Sequence, residues 1–223
     1  SKLAITVTGN EITVIDTDGV DIEAEMNVDM GTINTDASMI IQNNQIFDGW
    51  LESTGVEITY NIYAGEYYDM SGFEMATDLT AVLYISVTGN LLEGLDEGID
   101  VYAEFWQDNS VGTWNVDATV NLDNNRVLNT TYAVDAYLGG GSWFGENYWP
   151  YYDEVAVATF NMDYVLTVDN NVIYSIGGDE DEMDDAIIYV EVDAWAEVDP
   201  STHFTEAYAN VNGAVSVSSN QIV

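Results

Sequence analysis

The chain has 223 residues, of which 40 are Asp or Glu and only two, Lys2 and Arg126, are basic, giving a formal net charge of −38. It carries one histidine, His203, no cysteine, and 47% hydrophobic residues. Disulfides and zinc–thiolate sites are therefore excluded, a real core is possible, and nucleic acid and anionic membrane are disfavoured as partners because both call for cations.

The first strand signal is Ile5-Thr6-Val7-Thr8, which alternates and runs into Gly9-Asn10. Asn and Gly tolerate positive φ, so this pair predicts a tight hairpin turn. An acidic turn follows, Asp16-Thr17-Asp18-Gly19-Val20-Asp21. Ile22, Ala24, Met26, Val28 and Met30 are then apolar at every second position, which predicts a strand with one buried and one acidic face. Asn43-Asn44 is the next turn signal, and Tyr60 to Met75 is aromatic and weakly periodic, as in a loop or irregular strand.

The same order then recurs. Ile85-Ser86-Val87-Thr88-Gly89-Asn90 repeats the first strand and its turn, and Asp96-Glu97-Gly98-Ile99-Asp100 repeats the acidic turn. Gly112-Thr113-Trp114-Asn115-Val116-Asp117-Ala118 repeats Gly31-Thr32-Ile33-Asn34-Thr35-Asp36-Ala37, and Asn124-Asn125 repeats Asn43-Asn44. Tyr137 to Tyr152, with Gly139-Gly140-Gly141, occupies the place of the first aromatic segment and reads as a flexible glycine-rich loop. A third, shorter copy starts at Leu166-Thr167-Val168-Asp169-Asn170-Asn171 and continues through Asp179-Glu180-Asp181-Glu182-Met183-Asp184-Asp185. It then alternates from Ile188 to Val198 and reaches a last turn signal at Asn212-Gly213.

Asn10 to Asn90 spans 80 residues, and Asn90 to Asn171 and Asn44 to Asn125 each span 81. A period of about 80 exceeds the usual 20 to 50 residues of one solenoid coil or propeller blade. The pattern predicts an all-β protein of antiparallel meanders or sandwich-like sheets, with repeats at 1–80, 81–161 and a shorter 162–223, packed as one continuous domain.

Calcium takes six to eight oxygens, and an Asp-x-Asp-Gly-x-Asp turn offers several carboxylates around one point. The predicted ligands are Asp16, Asp18 and Asp21, then Asp96, Glu97 and Asp100, then Asp179, Asp181, Asp184 and Asp185. The alternative is a solvated acidic face suited to high salt. Aromatic side chains stack on sugar rings, so Trp143, Trp149, Tyr151, Tyr152 and the face-exposed Trp195 form a candidate binding platform. His203 stands alone in Thr202-His203-Phe204, and no phosphate cradle or nucleophile motif accompanies it. Nothing selects a catalytic carboxylate pair from forty acids, so no enzyme is expected.

No run of about 18 apolar residues predicts a membrane helix. The chain opens at Ser1, as a processed or trimmed chain would, and its poverty in Lys suggests an extracellular or cell-surface setting. The expected function is a structural subunit that assembles with copies of itself into a filament, tube, sheath or surface layer. Calcium would bridge acidic loops, and a bare strand at one terminus, Leu3–Val7 or 215–223, would add to another subunit. The alternative is a calcium-stabilised module that binds surface polysaccharide or acts in adhesion. A membrane β-barrel is a third reading, weakened by acidic strand faces.

Overall fold

The computed structural model describes residues 1–14, 18–28, 31–48, 53–64, 75–144, 156–175, 187–199 and 205–223. These form three sheets in which every pair of neighbouring strands is parallel. The chain visits the sheets in a fixed rotation. β1 (Lys2–Thr8), β2 (Glu11–Val14) and β3 (Val20–Val28) make the first coil, and β4 (Gly31–Gln42), β5 (Gln45–Asp48) and β6 (Thr54–Ala64) the second. The third is β7 (Met75–Thr88), β8 (Leu91–Glu93) and β9 (Glu97–Asp108); the fourth is β10 (Ser110–Asp123), β11 (Arg126–Thr130) and β12 (Tyr132–Phe144). β13 (Ala156–Asp169), β14 (Val172–Ser175) and β15 (Ile188–Val198) come next, then β16 (Thr205–Ser218) and β17 (Gln221–Ile222). Sheet A is β1-β4-β7-β10-β13-β16, sheet B is β2-β5-β8-β11-β14-β17, and sheet C is β3-β6-β9-β12-β15. This is a parallel β-solenoid. The antiparallel meander expected from the sequence is wrong.

The difference lies in the turns. Gly9, Asn43, Gly89, Asn124 and Asn170 do adopt positive φ, at 68°, 56°, 68°, 58° and 58°. Each nevertheless carries the chain round a corner from sheet A into sheet B rather than back along its own strand. A left-handed residue bends the backbone in either case, and only the pairing of the next strand tells a corner from a hairpin. The sixth corner is Ser219-Asn220, with Ser219 at φ 55°, while Asn212-Gly213 lies inside β16. Gly139-Gly140-Gly141 likewise lies within β12, not in a loop. Of the two aromatic segments, Tyr60–Ala64 belongs to β6 and Tyr137–Phe144 to β12; 65–74 and 145–152 lie outside the described residues.

The period of about 80 is two coils. Successive corner asparagines, Asn10, Asn44, Asn90, Asn125, Asn171 and Asn220, stand 34, 46, 35, 46 and 49 residues apart. Short and long coils alternate through the first two copies, and the difference falls mainly between sheet C and sheet A. One residue separates β9 from β10 and two separate β3 from β4, against ten between β6 and β7 and eleven between β12 and β13.

Inside, alternate residues of each strand stack on their equivalents one coil away. Ala37, Leu83, Ala118 and Tyr164 form one such row, and Ile41, Val87, Leu122 and Val168 another. Ile46, Leu92, Val127 and Ile173 do the same in sheet B, and Ile58, Val101, Ala136 and Val190 in sheet C. Most of these side chains are wholly buried. No coil could bury its apolar face alone, so stacking supplies the core.

The corner asparagines add a polar spine. The main-chain N–H and Nδ2 of Asn44 both donate to Oδ1 of Asn90, at 2.9 and 3.2 Å, and Nδ2 also donates to the carbonyl of Val7 at 3.0 Å. Asn90 repeats this towards Asn125 and the carbonyl of Ile41, Asn125 towards Asn171 and Val87, and Asn171 towards Asn220 and Leu122. Asn44, Asn90, Asn125 and Asn171 are almost fully buried, so an amide side chain is needed that donates and accepts at once.

Candidate functional site

Two regions stand out: the outward face of sheet C, and the two outer edges of sheets A and B.

On sheet C, parallel register converts acids distant in sequence into a row. Asp21 pairs with Glu57, Glu57 with Asp100, and Asp100 with Asp135. Neighbouring strands lie about 4.8 Å apart, so these carboxylates stand on successive rungs. Asp18 and Glu97 flank the row. Asp18 Oδ1 accepts the N–H of Thr54 at 3.0 Å, and Glu97 Oε2 accepts the hydroxyl of the same threonine at 3.2 Å. Burial raises the Asp100 carboxyl to about 7, with the charges of Glu97, Asp135 and Glu57 adding to it. Glu57 is also raised, by burial and then by Asp18 and Asp21. Glu97 is raised by burial against the opposing hydrogen bond from Thr54, and Asp135 by burial and then Glu191.

Of the predicted calcium ligands, Asp18, Asp21, Asp96, Glu97 and Asp100 are therefore placed at the start of sheet C. Asp21 and Asp100 share one row, two coils apart, instead of closing separate loops around separate ions. Asp16, Asp179, Asp181, Asp184 and Asp185 lie outside the described residues. Among the described residues no group of three or more acids or histidines is disposed to hold a metal ion. Glu57 and Asp135 were missed by sequence reasoning. Their signal was the alternation in Val56-Glu57-Ile58 and Val134-Asp135-Ala136.

The aromatic platform is also redistributed. Tyr102 and Tyr137 stack with centroids 4.7 Å apart and planes 14° from parallel. Trp106 and Trp195 meet edge to face at 5.2 Å and 60°. Glycine makes this packing possible. A Cβ on Gly139 would strike the Tyr137 ring, and one on Gly141 would strike the Trp195 indole and main chain, so two outward positions of β12 are roofed by aromatic neighbours. Burial pushes the Tyr102 hydroxyl up to about 12, reinforced by the Glu104 carboxylate. Of the expected platform, Trp195 thus belongs to an aromatic pair. Trp143 lies near the end of β12, paired between Asp108 and Glu197, while Trp149, Tyr151 and Tyr152 lie outside the described residues. His203 also lies outside them.

The second region is the pair of edges. Among the described strands, none pairs with the outer side of β1 or β2, or of β16 or β17. Val211, Val215, Val217 and Ile222 continue the buried rows above Met162, Leu166, Val168 and Ile173, yet remain exposed. At the other end Leu3, Ile5, Val7 and Ile12 lie over Ala37, Met39, Ile41 and Ile46 and are only partly covered.

Comparison with protein-family models, with curated proteins and with solved structures found no match.

Proposed function

We propose that this chain is a structural subunit which polymerises end to end, at a cell surface or outside the cell, by adding the sheet edges of one copy to those of another. The carrying observation is where the acids are not. The edge strands of sheets A and B, β1, β2, β16 and β17, hold two of the chain's 40 acids, Glu11 and Glu206, and one base, Lys2. Natural sheet edges are normally protected from pairing by charge, proline or a bulge. Here the body and the sheet C edge at β3, with Asp21, Glu23 and Glu25, are densely charged, while the edges of sheets A and B are nearly neutral, β-rich and apolar on their inner side. The body charge also discourages lateral association, so growth along the solenoid axis is favoured. Divalent cations, calcium first, would screen the sheet C acids of neighbouring copies.

The test is negative-stain microscopy and light scattering of the purified 223-residue chain, beside Ala4→Asp/Ala214→Asp. Both alanines point outward from sheet A, so the fold is expected to survive, with unchanged circular dichroism. Filaments from the unaltered chain and none from the variant are expected. Matched samples in millimolar calcium and in chelator at one ionic strength report the cation's part. An unaltered chain that stays monodisperse throughout removes the proposal.

A second reading, binding of surface polysaccharide, is favoured by the ring pairs Tyr102–Tyr137 and Trp106–Trp195 on one carboxylate-lined face. Glycan-array binding that disappears on Trp195→Ala would establish it.

A further inference from the structure

We propose that copies join head to tail in one register, the one that sets Asn10 of each copy on Asn220 of the copy before it and so carries the asparagine spine across the junction. This rests on the end-to-end reading above and specifies its partner surface.

Each of the five coil-to-coil steps inside the molecule repeats one hydrogen-bond set. The corner asparagine donates its N–H and Nδ2 to Oδ1 of the next corner asparagine. In return, the next asparagine donates Nδ2 to the carbonyl three residues before the first, as with Val7, Ile41, Val87, Leu122 and Val168. In every step the left-handed corner residue also donates its N–H to the carbonyl at the end of the next sheet A strand, as Gly9 does to Gln42 at 3.1 Å and Asn170 does to Ser218 at 3.1 Å.

The first and the last described corners hold complementary remainders of this set. At the β16–β17 corner, the N–H groups of Ser219 and Asn220 and the carbonyl of Val217 have the places of a donor–acceptor set with no next coil among the described residues. At the β1–β2 corner, Asn10 has an Oδ1 in the acceptor place, and its Nδ2 reaches only the nearby Thr8 carbonyl, at 3.2 Å, besides Asn44. Setting Asn10 on Asn220 supplies every missing partner at that corner: Asn220 to Asn10 Oδ1, Asn10 Nδ2 to the Val217 carbonyl, Ser219 N–H to the Thr8 carbonyl. Sheet C, with five described strands against six in sheets A and B, is left one strand short between β15 and the next β3.

The same register matches side chains. Val7 falls on Val217, Ile5 on Val215 and Ile12 on Ile222, which continues the inward rows. Leu3 falls on Gly213, whose side-chain space the Tyr164 ring already occupies. On the outside Lys2 meets Asn212 and Glu11 meets Gln221, so no like charges face each other. A shift of one residue would put Thr6 and Thr8 into the core rows. The opposite association, two N-terminal edges together, would bring two Asn10 corners face to face with mismatched donors and acceptors.

Because the chain has no cysteine, disulfide trapping can read the register directly. In the proposed junction Ala4 and Ala214 of adjacent copies face each other across parallel strands, at a Cα separation that a disulfide tolerates. Mild oxidation of assembled Ala4→Cys/Ala214→Cys is expected to give a ladder of covalent oligomers on a non-reducing gel. Ala4→Cys/Ser216→Cys, two residues out of register, is expected to give little. Polymers that cross-link best through Ser216→Cys, or through neither pair, would overturn this register while leaving end-to-end assembly standing. Covalent dimers from Ala4→Cys alone would show head-to-head pairing and overturn it as well. If light scattering shows no polymer for the unaltered chain, both the register and the assembly reading fall.

Discussion

Asn90 sits mid-spine, and its side chain is the partner of several buried groups at once. It accepts from the N–H and Nδ2 of Asn44 and donates to the carbonyl of Ile41 and to Oδ1 of Asn125. Asn90→Ala leaves these groups without their bonds in a site closed to water. An unsatisfied buried polar group costs on the order of 1–3 kcal/mol. Denaturant unfolding is therefore expected to show a loss of at least about 2 kcal/mol, with Asn90→Asp no better, since it removes the donor and adds a buried charge. The glycines of β12 make a paired comparison. A Cβ on Gly140 would lie 2.5 Å from Phe160 Cζ and 2.6 Å from the Phe105 carbonyl oxygen, and that carbonyl belongs to a paired strand. Gly140→Ala is expected to cost about 1–3 kcal/mol by overpacking. On the outer face, the atoms nearest a Cβ on Gly139 all belong to the Tyr137 ring, which can shift at the expense of its stack on Tyr102, so Gly139→Ala is expected to cost less than Gly140→Ala.

At the scale of the element, sheet C ties stability to pH. Asp100 is raised from 3.8 to about 7, so between those values the folded chain holds a proton that the unfolded chain has lost. The folded state binds more protons there, and stability falls as pH rises through the window. Glu57, Glu97 and Asp135, all raised, act in the same direction. The melting temperature is thus expected to be higher at pH 5 than at pH 8. Asp100→Asn should raise it at pH 8 and reduce the difference. Glu11→Gln, which removes one exposed charge elsewhere, is the control; an equal effect from both would show that net charge, not this row, governs the response.

Part of that row is legible in the sequence and part is not. Asp21 and Asp100 are visible because each sits in an acidic turn. Glu57 and Asp135 escape because turn-by-turn reading groups residues that are neighbours along the chain. A parallel solenoid makes neighbours of residues tens of positions apart, and Glu57 and Asp100 meet across 43. The same contrast explains the fold. Gly89-Asn90 and its equivalents give the length of the duplicated unit, but Gly-Asn and Asn-Asn are equally good at hairpins and at corners. The short strands after them, such as Glu11–Val14 and Leu91–Glu93, pair with their equivalents one coil away instead of with their predecessors, a choice that the turn residues do not encode.

For the whole molecule the decisive quantity is a charge of −38 on a body whose sheet A and sheet B edges are nearly neutral. Two copies approaching end to end still feel the repulsion of their bodies until salt screens it. The screening length shortens from about 30 Å at 0.01 M to about 8 Å at 0.15 M. Polymerisation followed by light scattering is therefore expected to quicken by well over an order of magnitude across that range. An unchanged rate would show that body charge does not limit the encounter.

The absence of hairpins among the described strands carries one more consequence. Every strand partner lies at least 34 residues away, as Lys2 is from Asp36, so the first two coils must form before any sheet bond offsets the entropy of the closed loop. After that start, each further coil is laid on an edge that already exists. In the assembly proposed above, the β16–β17 edge offers the same template to another chain. Folding would then have a nucleation step that a folded neighbour can bypass, and refolding would accelerate with concentration and shorten its lag on seeding with native protein.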